Sequence, residues 1–140
     1  MESSMMRRRV AQARVGRLAT IGRTNQPHLV PVCFALEGDR IVTSVDLKPK
    51  TTTWLRRLDN VRLNPAVTML VDHFEEDWSK LWWVRLDGRG RVIEDGLELD
   101  TLLDGLQEKY RGQYGLHPPT GPAIVIDVER WVGWSASGAG

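Results

Sequence analysis

"HLVPVCFAL" (28–36), "EGDR" (37–40) and "IVTSV" (41–45) follow one another without a gap, and their reading decides the fold. The outer two are apolar, β-branched runs of strand length, and the middle four residues carry the Gly and Asp of a tight turn. Strands joined so closely pair antiparallel. Pro31 has no N–H to give to a ladder, so the first strand is an edge, is bulged, or shows its backbone to a ligand.

Further strands are predicted on both sides. "VGRLATIG" (15–22) alternates apolar and polar residues and ends in the turn cluster "RTNQP". "AVTMLVD" (66–72) is almost wholly apolar. "KLWWVRLDG" (80–88) is a strand with paired tryptophans, and "RVIED" (91–95) continues the sheet after a Gly-containing turn. "AIVIDVERWVGW" (123–134) is the last strand, after the stiff loop "HPPTGP" (117–122). Residues 5–14 predict a short N-terminal helix. Residues 97–114 predict a longer one, with Leu99, Leu102, Leu103, Leu106 and Tyr110 in one stripe and Gly115 as its stop. Six or seven short strands in hairpin order with two or three helices make a mainly β domain with helical additions, its antiparallel sheet closed or partly closed into a barrel. The 140 residues suit a single domain over 1–140, with 1–9 and 135–140 expected to be flexible.

Composition narrows the function classes. Hydrophobic residues are 41% and charged residues 26%, ordinary for a globular protein. The arginines of "MESSMMRRR" have no apolar run behind them, so no secretory signal is expected, and no apolar stretch is long enough to span a membrane. Cys33 is the single cysteine, which rules out an internal disulfide and points to the cytoplasm. The three histidines, His28, His73 and His117, have no ligand spacing with Cys33, so no metal is expected. No Gly-x-Ser-x-Gly elbow occurs, and the acidic run "HFEEDWS" (73–79) reads as a solvated loop. The net charge of +1 hides an asymmetry: residues 1–64 carry 12 Lys/Arg against 5 Asp/Glu, and residues 65–140 carry 7 against 13. Either one half meets an anion, or the halves neutralise each other across the fold.

The basic half concentrates at "SVDLKPKTTTWLRRL" (44–58), where a strand ends and a helix begins. Thr51, Thr52 or Thr53 can cap a helix whose apolar face is Trp54, Leu55 and Leu58. Free amides at a helix start, hydroxyls, and Lys48 and Lys50 on either side of a stiffening proline make a phosphate site. Arg56 and Arg57 on the next turns can fork onto a carboxylate or second phosphate. The plainer reading is a capped helix with a solvated basic face. A Gly-x-x-x-x-Gly-Lys loop is absent, so this is no ordinary triphosphatase. An anion site without an evident acid–base pair leaves the chemistry to a bound cofactor, and no catalytic side chain is named.

Trp82 and Trp83 point to opposite faces of their strand, so one of them faces outward. Either the helix over 97–114 covers it, or a second copy of the chain does, with Trp131 and Trp134 adding to the apolar surface. A homodimer is the expectation.

The order of these segments resembles the split β-barrel flavin and deazaflavin oxidoreductases related to pyridoxamine 5′-phosphate oxidase. The likeness runs over about residues 10–134, from "GRLATIG" and "HLVPVCFAL" through "IVTSVDLKPKT" and "LRRLDNVRLNPAVTMLVD" to "DWSKLWWVRLDGRGRVIED". The "KPK…LRRL…NP" run with "DW…LWWVR" looks most like the actinobacterial subgroup that uses coenzyme F420. The resemblance implies a six- to seven-stranded antiparallel split barrel and a cofactor lying across a dimer interface. It implies that the backbone of Val30, Pro31 and Val32 runs beside the tricyclic ring, with Thr43, Ser44 and Val45 near the ribityl chain. It implies further that Lys50 holds the phosphate, that Lys48 and Thr51 stand beside it, and that Arg56 and Arg57 face the phosphate or the polyglutamate tail. Trp78, Trp82 and Trp83 are implied to come from the second subunit or to line its groove. The implied reaction is hydride transfer between reduced F420 and a small conjugated substrate. A phosphate site serves FMN equally, although the cationic surplus favours the more anionic coenzyme. Two other classes stay open: a split barrel that carries a flavin, deazaflavin or haem without turnover, and a nucleic-acid-binding barrel, against which the tryptophans sit in the acidic half. No nucleic acid or membrane partner is expected.

Overall fold

The computed structural model describes residues 1–45 and 52–138. In chain order they form α1 (Ser3–Gln12), β1 (Gly16–Ile21), β2 (Pro27–Val32), β3 (Ala35–Glu37), β4 (Arg40–Val45), α2 (Thr52–Leu63), β5 (Ala66–His73), a 3-10 turn (Trp78–Lys80), β6 (Trp82–Ile93), α3 (Leu97–Lys109), α4 (Arg111–Tyr114) and β7 (Thr120–Ser135). The seven strands make one antiparallel sheet in the order β2-β1-β5-β6-β7-β4-β3.

The expected strand over 28–36 is two strands. β2 pairs with β1, and β3 pairs with β4, so consecutive segments form opposite edges of the sheet. Only Cys33 and Phe34 separate them, which forces the sheet to curl until its edges meet at that corner: a barrel, split between β2 and β3. Phe34 belongs to neither ladder, and a buried amide left unpaired is costly. The Tyr110 hydroxyl accepts from the Phe34 N–H at 3.1 Å and lies 3.0 Å from the Arg14 carbonyl. Pro31 therefore sits where proline is tolerated, on an edge strand.

β6 also departs from expectation. It runs unbroken through Gly88 and Gly90, with a bulge at Asp87/Gly88 in place of a turn. A Cβ on Gly88 would stand 2.3 Å from the Asp127 carbonyl, and one on Gly90 3.0 Å from Val61, so these glycines permit close approach. The expected hairpin forms between β3 and β4, its turn reduced to Gly38, at φ +63, and Asp39, because Glu37 pairs with Arg40.

Alternate residues of the strands fill the barrel: Leu18, Val32, Ile41, Val67, Met69, Val71, Val84, Leu86, Ile124 and Ile126. Met6 and Val10 of α1 and Leu58 and Val61 of α2 join this core. The end expected to be flexible over 1–9 thus largely belongs to a packed helix, because Met6 and Val10 have apolar surface to bury. A second core lies outside the barrel, where Leu99, Leu102, Leu106, Tyr110 and Tyr114 cover Ala35, Val42, Ala123 and Val125. The helix predicted over 97–114 breaks at Tyr110, and Gly115 ends α4 at φ +57. No helix among the described residues is long and apolar enough to cross a membrane.

Candidate functional site

The β1–β2 turn closes on itself, with the Gly22 N–H donating to the Gln26 carbonyl at 2.8 Å and Asn25 in the left-handed region at φ 58. This "RTNQ" turn holds Arg23 at the rim of the barrel. α2 is laid against the same end by Leu58 and Val61. It is keyed there by buried Asn60, whose side-chain amide donates to the Thr20 hydroxyl at 3.0 Å. Seating Asn60 inward leaves Arg56 and Asp59 on the open side. Between turn and helix lies a cavity of about 560 Å³ walled by Gly22, Arg23, Gln26, Pro27, His28, Arg56, Asp59 and Asn60.

The lining is cationic. His28 stands opposite Thr20, on the barrel side of β2, and its Nδ1 is shut off from solvent with no hydrogen-bond partner. Burial first, then the charges of Arg56 and Arg57, hold its imidazole below the ordinary histidine range. The surroundings thus oppose one more positive charge. Such a site suits a ligand carrying negative charge, which guanidinium forks bind in pairs of hydrogen bonds. The cavity lies within the roughly 300–1,000 Å³ typical of small-molecule pockets.

The expected site residues separate into groups. Arg56 walls the cavity, and the charge of Arg57 reaches His28. Val30 and Val32 face the barrel core on the same strand as His28, Val32 buried and Val30 packed against the cluster, and Pro31 is exposed on the outer face. Thr43 is buried inside the barrel. The Ser44 hydroxyl donates to the Thr120 carbonyl, and Val45 ends β4. Lys48, Lys50 and Thr51 lie outside the described residues.

The tryptophans are elsewhere on the chain. Trp82 pairs across the sheet with His73, at the end of the barrel opposite the β1–β2 turn. Along β1 the two ends are roughly 17 Å apart at 3.4 Å per residue. Trp82 packs on the core, its ring stacked on His73 at 6.2 Å and faced by the Arg9 guanidinium at 4.9 Å. Trp83 points the other way and pairs with Trp134 on β7. α3 packs on β3, β4 and β7 through the second core, in which neither tryptophan takes part. Trp78 is 69% exposed on the acidic loop.

Sequence reasoning missed Arg23, Gln26, His28 and Asn60. In the sequence His28 stands out only as a possible metal ligand. Its place two residues before Val30, hence on the same strand face, was the available signal. No group of metal-binding side chains occurs among the described residues. The acidic loop holds itself together: Asp77 caps the 3-10 turn by accepting from the Ser79 N–H, and His73 contacts Glu75.

A seven-stranded antiparallel barrel, split between edges that meet at Cys33–Phe34 and opening a cationic cavity beside α2, defines a split-barrel domain with a site suited to anions. The chain belongs to the pyridoxamine 5′-phosphate oxidase family, whose pattern matches residues 4–135. It is similar to a conserved hypothetical protein of Mycobacterium tuberculosis at 22% identity and TM-score 0.76, over 97% of this chain and 86% of that one. A FAD-binding protein of Mesorhizobium loti is 20% identical with TM-score 0.72, over 95% of this chain and 94% of that one. A FAD-binding protein of Mycobacterium smegmatis is 16% identical with TM-score 0.64, over 96% and 94%. No protein of curated function matches the chain.

Proposed function

We propose that this chain is an oxidoreductase that binds coenzyme F420 and serves hydride transfer between the reduced deazaflavin and a small conjugated organic molecule. The observation that carries the reading is the cavity walled by Arg23, His28 and Arg56 beside α2. Its donor set fits the anionic part of such a coenzyme, and the basic "KPK" run leads directly into that helix. When bound, the coenzyme supplies the hydride-carrying ring. The chain supplies position and charge: Arg56 and Arg57 beside His28 hold the anionic end, Lys48 and Lys50 add cations before α2, and the edge strand carrying Pro31 offers an exposed backbone.

The working unit is a homodimer with the cofactor across its interface. Trp83 and Trp134 form a cross-strand apolar pair that α3 leaves uncovered, and Trp134 is 45% exposed. In a dimer, tryptophans roughly a barrel length from the cavity on one chain can approach the cavity of the other. The single cysteine fits a reducing cytoplasm. A flavin in the same site is the second reading, favoured by two similar structures of proteins described as FAD-binding.

The test is fluorescence titration of cofactor-free protein with F420 and, separately, with FMN. F420 is expected to bind, and Lys50→Ala or Arg56→Ala to weaken it about tenfold, the worth of one charge-assisted hydrogen bond near 1.4 kcal/mol. Bleaching of reduced F420 by added quinones or other conjugated acceptors then reads turnover. Preference for FMN turns the reading to a flavin enzyme, and binding of neither cofactor overturns both.

A further inference from the structure

His28 faces an unusual set of neighbours. Arg23 approaches from the β1–β2 turn, and Arg56, Arg57 and Asp59 from α2, while Thr20 on β1 is engaged by Asn60. Of these, Arg56 and Arg57 act on the imidazole by their charge, and Arg23 and Asp59 share the cavity wall with it. Asp59 is the one carboxylate in the lining, and it also pairs with Arg62 at 3.8 Å, on its own helix. The ring nitrogen Nδ1 meets neither solvent nor a partner. In the free protein burial first, and then the charges of Arg56 and Arg57, discourage a proton on that ring. An anion entering the cavity offsets the second of these: it neutralises the guanidiniums and presents an acceptor for a ring N–H.

We infer that the cavity between the β1–β2 turn and α2 takes a group of two or more negative charges, a phosphate dianion or paired carboxylates, and that its binding is coupled to uptake of a proton by His28. The inference rests on the cofactor reading only in that a coenzyme's anionic end is the natural occupant. Geometry gives the coupling its direction. His28, Arg56 and the turn arginine share one 560 Å³ space, so charge on the ligand and charge on the ring are felt together. Binding then strengthens as pH falls toward 6, by at most tenfold per pH unit when a full proton is taken up.

Sulfate is a suitable probe, because its own charge is constant over this range. The histidine side chains are titrated by nitrogen-detected NMR from pH 5 to 8.5, without anion and with saturating sulfate, with His73 and His117 as internal references. His28 is expected to titrate below its ordinary value without sulfate and at least one unit higher with it. Arg56→Gln should raise the sulfate-free value and shrink the sulfate-induced rise. Calorimetry in two buffers of different ionisation enthalpy should show net proton uptake on sulfate binding near pH 7, lost in His28→Gln. The wild-type NMR titration stands whether or not that variant folds. A His28 titration that sulfate leaves unmoved, or sulfate binding independent of pH, overturns the proposal. If sulfate moves His28 while neither F420 nor FMN binds, the proton coupling holds and the cofactor reading falls. F420 binding with no change at His28 has the opposite meaning.

Discussion

Lys109 is half-buried, with its ammonium shut off from solvent against aromatic rings. Its ammonium lies 3.9 Å from the centre of the Phe34 ring and 5.4 Å from that of Tyr110, without a hydrogen-bond partner. Burial, and after it the charge of Arg14, lowers its pKa to about 8 from 10.5. Desolvation disfavours the charged ammonium, while the faces of the two rings attract it. Because the folded value is the lower one, the folded protein binds fewer protons between pH 8 and 10.5. Stability therefore rises with pH across that window, and the penalty is complete below pH 8. Lys109→Met is expected to raise the melting temperature at pH 7 by roughly 3 °C, corresponding to about 1 kcal/mol. The gain should shrink on approaching pH 10.5, and melts at pH 7 and 10 compare the two; a variant less stable than wild type at pH 7 would show that the rings win.

Among the elements, α3 is held to the sheet by charge as well as by leucines. Glu98 in its first turn accepts from Arg91 at 2.7 Å and from Arg40 at 2.8 Å, and Arg91 also donates to Asp127 at 2.6 Å. Arg91 first, then Arg40, draws the Glu98 pKa down to about 2 from 4.5. Its contribution is therefore present above pH 4.5 and lost as pH falls toward 2, and Glu98→Gln should flatten that part of the stability profile in urea melts. The side chain is more than a third exposed, so solvent keeps the effect modest. β6 gives the sharper expectation. A methyl group on Gly88 meets the Asp127 carbonyl, backbone that cannot rotate aside, so Gly88→Ala should cost about 3 kcal/mol, the upper end for overpacking. Chemical denaturation measures it, and a loss below 0.5 kcal/mol would mean that the bulge moves freely. The glycines of "DGRG" suggested a turn because glycine serves turns and close strand contacts alike. What selects between them is β7, more than 30 residues further on.

Seen as a whole molecule, the barrel has two covered surfaces and one open one. Its interior is filled, α3 covers the outer face of β3, β4 and β7, and among the described residues nothing covers the outer face that carries Leu29, Pro31, Trp83 and Trp134, with Leu29 67% exposed. A second copy is the occupant proposed above. Trp83→Arg should then shift the sedimentation mass from two chains to one at micromolar concentration while leaving the far-ultraviolet spectrum unchanged. A wild-type protein that sediments as one chain would remove the proposed interface and its place for the cofactor.

By itself the sequence determined the local pieces: the alternation in "GRLATI", the apolar run "AVTMLV", the leucine stripe of α3 and the stop at Gly115. Each is set by neighbours a few residues apart, through strand and helix periodicity and the conformational freedom of glycine. The basic character of the site was legible for the same reason, since Arg56 and Arg57 adjoin the "KPK" run. Tertiary structure alone decided which strands pair. It sent the two halves of "HLVPVCFAL" to opposite edges of the sheet, because apolar faces 30 to 90 residues apart bury one another only when the sheet curls. It also decided the cavity, whose walls come from residues 22–28 and 56–60. No periodicity within either segment records that Asn60 reaches Thr20, and it is that contact which sets Arg56 opposite His28.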